Sequence, residues 1–317
     1  MTAKTNRSYV LQTVISKNGS WNNDFDGMPK QYNNQFFASD RALKYAVRHL
    51  MEQMGLDVFI KDWIVANKDK GKKKESKNQT TFYTMPNTEL KAYIKEKTGK
   101  EFSETFWTFA DIRQFGFLYD NLSLHGVAQI SQGLDLYRKG TLYEDDLTGR
   151  MVFGSKDKSD KETRGMASRT FLSEAHYCYE TSINPANVKF LEDIEGFEHC
   201  VYTEEDFALL LECLHYGPSN IKSTQKLNCY TGFMVQIDLI DGEKTHLGNL
   251  QGKLTIEDGK ENRMTVYNLQ PLFDYLKRKE EAAGHPIYQD IVVSYEASEI
   301  VIKGIHQSME EVKIKKL

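Results

Sequence analysis

Residues Ser8 to Ser16 read Ser-Tyr-Val-Leu-Gln-Thr-Val-Ile-Ser, and the fold depends on what this stretch pairs with. β-Branched and aromatic residues dominate it, which predicts a strand. A polar loop, long for a compact domain, runs on to Gln35. Ser39 or Asp40 then caps a helix whose apolar stripe is Leu43, Ala46, Val47, Leu50, Met51 and Met54, and Gly55 ends it. Val58 to Val65 reads as a short second strand, Val127 to Tyr137 as another, and Phe171 to Ser182 as another. Thr203 caps a helix from Glu204 to His215, with acids in its first turn where the helix dipole favours them, and Pro218 is expected to stop it. Cys229 to Leu239 is an amphipathic strand. Reduced to its core, the order is strand, helix, strand, strand, helix, strand, with large insertions. That is the order of a ferredoxin-like, RNA-recognition-motif fold of the α+β class. Strand-like pieces near 246–256 and 290–303, with a helix from Leu272 to Ala283, follow it.

The chain has 317 residues, 40% hydrophobic and 27% charged, which is ordinary for a folded globular protein and too apolar for general disorder. Its mean hydropathy of -0.57 and the lack of a long apolar stretch exclude a membrane-spanning helix. No apolar signal core follows Met1, so the expectation is a cytoplasmic protein with no membrane partner. Lys plus Arg is 41 against 45 for Asp plus Glu, a formal net charge of -4 that argues against a small basic nucleic-acid-binding domain. The charge is unevenly placed, however. Residues 67 to 77 hold six lysines against one Asp and one Glu, while 189 to 212 hold one lysine against eight acids. An acidic flank beside basic segments suits head-to-tail stacking of identical subunits, or is simply a solvated surface.

Cys178, Cys200, Cys213 and Cys229 form no Cys-x-x-Cys pair, so they read as packed thiols, and no metal site or cofactor is expected. No phosphate loop, His-Glu-x-x-His or Gly-x-Ser-x-Gly motif is present. Asp24 and Asp26 are either turn residues or a pair able to hold a divalent ion near a phosphate. Arg41, Lys44 and Arg48 recur on one face of the first helix. His125, Gln129 and Ser131 sit at alternate positions of the strand ending at Tyr137. Lys222-Ser223-Thr224-Gln225-Lys226 offers ammonium, hydroxyl and amide donors suited to phosphate oxygens.

Four stretches carry a family resemblance. Asn6-Arg7-Ser8 leads into the first strand and a loop containing Asn18-Gly19. Ser39 to Arg48 is a capped basic helix ending in Arg. Asp111-Ile112-Arg113-Gln114-Phe115-Gly116 precedes His125-Gly126-Val127-Ala128-Gln129-Ile130-Ser131. Arg164-Gly165-Met166 leads through Tyr177-Cys178-Tyr179 to Asn184-Pro185-Ala186. In these the chain resembles the Cas-seven family, the backbone subunits of type I CRISPR Cascade complexes, in a type I-B-like form. It departs in the first loop, where Lys17 and Ser20-Trp21 flank Asn18-Gly19 in place of the family's usual prolines.

The resemblance implies a right-hand-like RAMP architecture. The palm would take 1–56, 111–137 and 170–240, completed by C-terminal strands and a helix in 241–317; a finger-like insertion takes 57–110 and a thumb hairpin 138–169. It implies a subunit without catalytic role that binds guide RNA (crRNA), supports pairing with a target DNA strand, and stacks on other copies of itself and on repeat-handle-binding, large and small Cascade subunits. Asn18, Gly19, Trp21, Arg41, Lys44, Arg48, His125, Gln129, Ser131, Lys222, Ser223, Thr224, Gln225 and Lys226 are then the RNA-binding candidates. Met151, Phe153, Arg164, Met166 and Arg169 are the thumb residues that would wedge against a base. The alternatives are a type III-like subunit cutting target RNA through Asp24 or Asp26, and a scaffold that binds no RNA.

Overall fold

The computed structural model describes residues 2–68, 80–85, 87–119, 121–150, 164–221, 223–261, 264–305 and 312–316. The chain opens with β1 (Ser8–Gly19), the short hairpin β2 (Gln31–Tyr32) and β3 (Gln35–Ala38), and α1 (Asp40–Gln53). The pair β4 (Ile64–Lys68) and β5 (Thr80–Thr84) follows, then α2 (Asn87–Thr98), α3 (Phe102–Thr105) and α4 (Ala110–Phe115). Next come β6 (Gly116–Tyr119), β7 (Leu122–His125), β8 (Ala128–Ile130), β9 (Gly133–Asp135), β10 (Leu142–Arg150) and the long β11 (Arg164–Ile183). The remainder is α5 (Glu204–Asn220), β12 (Cys229–Leu239), β13 (Thr255–Glu261), β14 (Met264–Asn268), α6 (Gln270–Ala283), β15 (Tyr288–Tyr295), β16 (Ile300–Lys303) and β17 (Val312–Lys316).

β1 is the centre of the main sheet. It pairs antiparallel with β11 on one side and β12 on the other, and β8 and β9 pair with the outer side of β11. The sheet order β12, β1, β11, β8/β9, with α1 and α5 as the connecting helices, is the RNA-recognition-motif arrangement expected from the order of elements. Alternation along β1 sends Val10 and Val14 to the face under α1 and α5, and Tyr9, Leu11 and Ile15 to the face under α6. Because both faces are covered, the strand is buried nearly throughout, its polar Ser8, Gln12, Thr13 and Ser16 included. Thr13 marks an irregularity in the pairing with β12, and its hydroxyl accepts the freed Phe233 N–H at 3.3 Å.

Several sequence expectations shift. Residues 58–63 are not a strand, because the backbone N–H groups of Phe59 and Ile60 donate to Asp111 rather than to a sheet neighbour, at 2.7 and 3.1 Å. The expected strand 127–137 is two strands, β8 and β9, and the strand expected near 246 begins only at Thr255. Thr203 caps α5 as expected, accepting from Asp206 N–H at 3.1 Å, but Pro218 does not stop the helix. A proline at 218 cannot donate back to Leu214. Here the Leu214 carbonyl instead accepts the Gln12 amide at 3.1 Å and the Thr231 hydroxyl at 3.3 Å, from the two central strands. The orphaned acceptor is thereby satisfied and α5 runs on to Asn220. Gly217 lets α1 pass close by, since a Cβ there would stand 3.0 Å from the Ala46 carbonyl oxygen.

The aromatic run Phe102, Phe106, Trp107 and Phe109 packs with Phe59 and Phe117 into the core beneath α1; the Phe59 and Phe102 centroids are 4.7 Å apart. β10 pairs antiparallel with the first half of β11, from Leu142 opposite Leu172 to Arg150 opposite Arg164. Buried Asp111 joins α4 to α1: besides the Phe59 and Ile60 amides it accepts Arg48 Nε at 2.9 Å. Asp111→Ala strands all three donors, and is expected to cost about 3–5 kcal/mol. Urea titration of the purified protein reads this, and a loss below about 1 kcal/mol would remove Asp111 from the frame.

Candidate nucleic-acid interface

The C-terminal end of β1 is where the first loop, the start of α1 and the segment after α5 meet. Asn18 takes a left-handed conformation, φ 47°, which Asn tolerates better than most residues. Gly19 has no room for a side chain: a Cβ would lie 2.5 Å from the Gln225 carbonyl oxygen. The approach is closed by Ser20 N–H donating to that oxygen at 2.7 Å and Lys17 N–H donating to Asn228 at 3.2 Å. Trp21 then turns inward. It is fully buried, and its indole N–H donates to Tyr179 Oη at 2.8 Å, whose hydroxyl donates to the Ser39 carbonyl at 3.3 Å. Asn22 Oδ1 accepts from the Ser39 N–H at 2.8 Å and from its hydroxyl at 3.0 Å, which fixes the residue that precedes α1.

Lys226 stands over this junction. Its ammonium is 5.5 Å from the Trp21 ring centroid and 5.7 Å from that of Tyr45, which is half exposed. Burial holds its pKa below the ordinary lysine value of 10.5. Among the described residues it has no carboxylate partner, so its charge is balanced only by ring faces. Arg41, one turn before Tyr45, is exposed, as are Ser223 and Thr224; Gln225 holds the β1 end through its carbonyl. Lys226 and Arg41, neither with a carboxylate partner among the described residues, and two hydroxyls around an aromatic surface form an anion-accepting patch.

The other sequence candidates fall elsewhere. Lys44 is tied to Asp40 at 2.8 Å, and Arg48 is spent on buried Asp111, so of the basic stripe on α1 Arg41 is the one that is exposed and has no ion-pair partner among the described residues. Trp21 is a core residue. Gln129 pairs across β11 with Ser182, level with Tyr9 of β1, which puts it about 30 Å along the sheet from Asn18. His125 is exposed at that far end, and the Gln129 amide is held by the Gly126 carbonyl at 3.1 Å. The Ser131 hydroxyl accepts from Glu180 N–H and Gln251 Nε2, both at 2.9 Å, and donates to the Gln132 carbonyl, so it is saturated. Met151, Phe153 and Lys222, and residues 69–77 of the lysine loop, lie outside the described residues. Arg164 and Met166 are in β11, and Arg169 is exposed there opposite Asp145. Asp24 serves its own turn, its Oδ1 accepting the N–H groups of Asp26 and Met28 at 3.0 Å each. Tyr45 was missed by the charge pattern; an aromatic on the exposed side of an amphipathic helix is the signal that points to it.

The palm's sheet order, its two helices on one face and its inserted hairpin define a protein of the RAMP class. The chain belongs to the Cas7 family: the family described as CRISPR-associated protein Cas7 matches residues 6–271. No curated protein is similar to the chain at a significant level. Among solved structures, a chain of a CRISPR RNA-guided surveillance complex, pre-nicking, is 14% identical with a TM-score of 0.52, covering 96% of this chain and 97% of that one. That likeness is one of fold. A chain of another CRISPR RNA-guided surveillance complex is 13% identical with a TM-score of 0.48, over 96% of each chain. No described helix is long and apolar enough to cross a membrane.

The placement of Trp21 is directly testable. As a core residue its replacement by Ala costs the free protein about 3–5 kcal/mol. A base-stacking residue on the surface would leave the denaturation midpoint of the RNA-free protein unchanged.

Proposed function

We propose that the protein is a non-catalytic, cytoplasmic crRNA-binding backbone subunit of a type I, I-B-like Cascade complex. In this reading copies of it line up along the guide and, with the other Cascade subunits, support its pairing with a target DNA strand. The observation that carries the reading is Lys226, an ammonium between the rings of Trp21 and Tyr45 with no carboxylate partner among the described residues, beside exposed Arg41, on the palm of a Cas7-family chain. Phosphates gripped there leave base edges free, which is what a guide of arbitrary sequence requires.

Two measurements test it. Arg41→Glu combined with Lys226→Glu is expected to abolish co-purification of guide RNA at moderate salt. In a titration of residual binding, the slope of log affinity against log salt should fall by about 1.4, or 0.7 for each lost single-strand phosphate contact. Unchanged retention would remove this patch from the RNA path, and wild-type protein that purifies free of nucleic acid would favour a scaffold without RNA. Incubated with complementary RNA and Mg²⁺, the assembled complex should leave the RNA intact; regularly spaced cuts lost on Asp26→Ala would instead make it a type III-like nuclease.

The buried setting of Lys226 adds a pH signature. A lysine with a lowered pKa is charged at low pH and loses its proton, on raising pH, before an ordinary lysine does. RNA retention should therefore weaken at alkaline pH values still below 10.5, and Lys226→Arg should flatten that limb. Retention that stays level in the wild type up to 10.5 would show that the ammonium is not in the contact.

A further inference from the structure

Between the β6–β7 hairpin and the segment that follows β11 lies an open groove of about 170 Å³. In the hairpin Phe117 stands opposite Leu124 and Tyr119 opposite Leu122, so Phe117, Leu122 and Leu124 share one face. Across from them the short helical turn Lys189–Asp193 buries Leu191 in the core and leaves Phe190 outside, with Ile194 just beyond it; these two are 52% and 43% exposed. The walls are tied together at their base. Asn187, just before that turn, donates its side-chain amide to the Gly126 carbonyl, just after the hairpin, at 3.0 Å. Phe106 forms the floor, its ring centroid 5.5 Å from that of Phe117 and 5.8 Å from that of Phe197. Leu122, Phe190 and Ile194 thus stand in solvent as lips around an aromatic floor. An exposed apolar cleft of this kind, rimmed by polar residues, marks a place where another molecule docks.

The charge around the cleft decides what kind of molecule. Glu192, Asp193, Glu195 and Glu198 are all exposed along the Phe190 side, and none forms an ion pair among the described residues. The same stretch, 189 to 199, carries Lys189 and His199 as its basic residues. Such a rim repels a nucleic-acid backbone. The groove also lies away from the anion-accepting patch at Asn18. β7 leads through Gly126 to β8, where Ala128 pairs with Ile183, level with Ser8 at the start of β1. An apolar cleft bounded by unpaired carboxylates complements a polypeptide segment whose apolar side chains are set among lysines or arginines.

We propose that this groove docks a basic amphipathic segment of another protein, its apolar side chains seated on Phe106 and Phe117 between the lips and its cations on Glu192, Asp193 and Glu195. The proposal stands whether or not the guide-RNA reading does. A labelled synthetic peptide with leucines three and four residues apart and lysines elsewhere is the probe. It is titrated with the full-length protein, freed of nucleic acid by nuclease and high salt, and binding is followed by fluorescence anisotropy. Saturable binding is expected, roughly tenfold or more tighter than for the same peptide with serines for leucines or glutamates for lysines. Phe190→Ala with Ile194→Ala should weaken it roughly tenfold. Glu192→Gln with Glu195→Gln should weaken it and flatten its salt dependence, and both double variants should keep the wild-type thermal midpoint. Binding indifferent to both variants, or to the loss of either the leucines or the lysines, overturns the proposal. So does self-association of the RNA-free protein in sedimentation that is lost on Ile194→Ala, because the groove is then filled by a second copy.

Discussion

Everything in this molecule is arranged around the requirement that β1 be paired along both edges and covered on both faces. A strand so enclosed can carry no solvent-facing chemistry along its length, and its residues from Ser8 to Ser16 are all buried. Function is therefore displaced to its ends and to the rim of the sheet. At the C-terminal end the backbone leaves the sheet through Asn18 and Gly19, whose conformation and lack of side chain let the segment after α5 close onto it. The position of Lys226 is a consequence of that closure, and so is its burial between two rings.

The net charge of -4 conceals a simple internal accounting. Arg48 is committed to Asp111, Arg113 to Asp206, Lys17 to Glu299 and Lys44 to Asp40. These pairs hold elements together: Arg48 joins α1 to α4, and Arg113 joins α4 to the start of α5. Two of the three basic residues singled out by their spacing on α1, Lys44 and Arg48, are thus neutralised within the fold. Among the described residues the positive charge left for a partner at the C-terminal end of β1 is small and local, Arg41 and Lys226, and it gains effect from having no competing carboxylate among them rather than from numbers.

The order of core elements was legible in the sequence because periodicity reports burial, and burial on two faces, one face or a stripe differs between β1, β12 and α1. The capping of α5 by Thr203 was legible for the same local reason. What escaped was long-range. Nothing near Pro218 shows that Gln12 and Thr231 would supply the hydrogen bonds its ring removes, so the helix seemed to end early. Nothing in the first helix shows which of its cations would meet Asp111, more than sixty residues on. His125, Gln129 and Ser131 share a strand-like run with the right alternation, but register, which alternation does not encode, sets them at the far end of the sheet. Trp21 looked available because it sits in a polar loop, and only the hydroxyl of Tyr179 explains why it turns inward.

The Leu214 carbonyl has a mechanical consequence. Side chains of β1 and β12 hold it from beneath, so the last turns of α5 are fastened to the two middle strands by directed bonds and not by apolar contact alone. The segment carrying Lys226 begins just beyond that anchorage and is fastened again where Ser20 N–H donates to the Gln225 carbonyl. Tension applied to it by a bound strand is borne between two fixed points and passes into the sheet as shear along the strands, the direction in which a ladder of many parallel hydrogen bonds yields least. The grip and the sheet therefore move as one body.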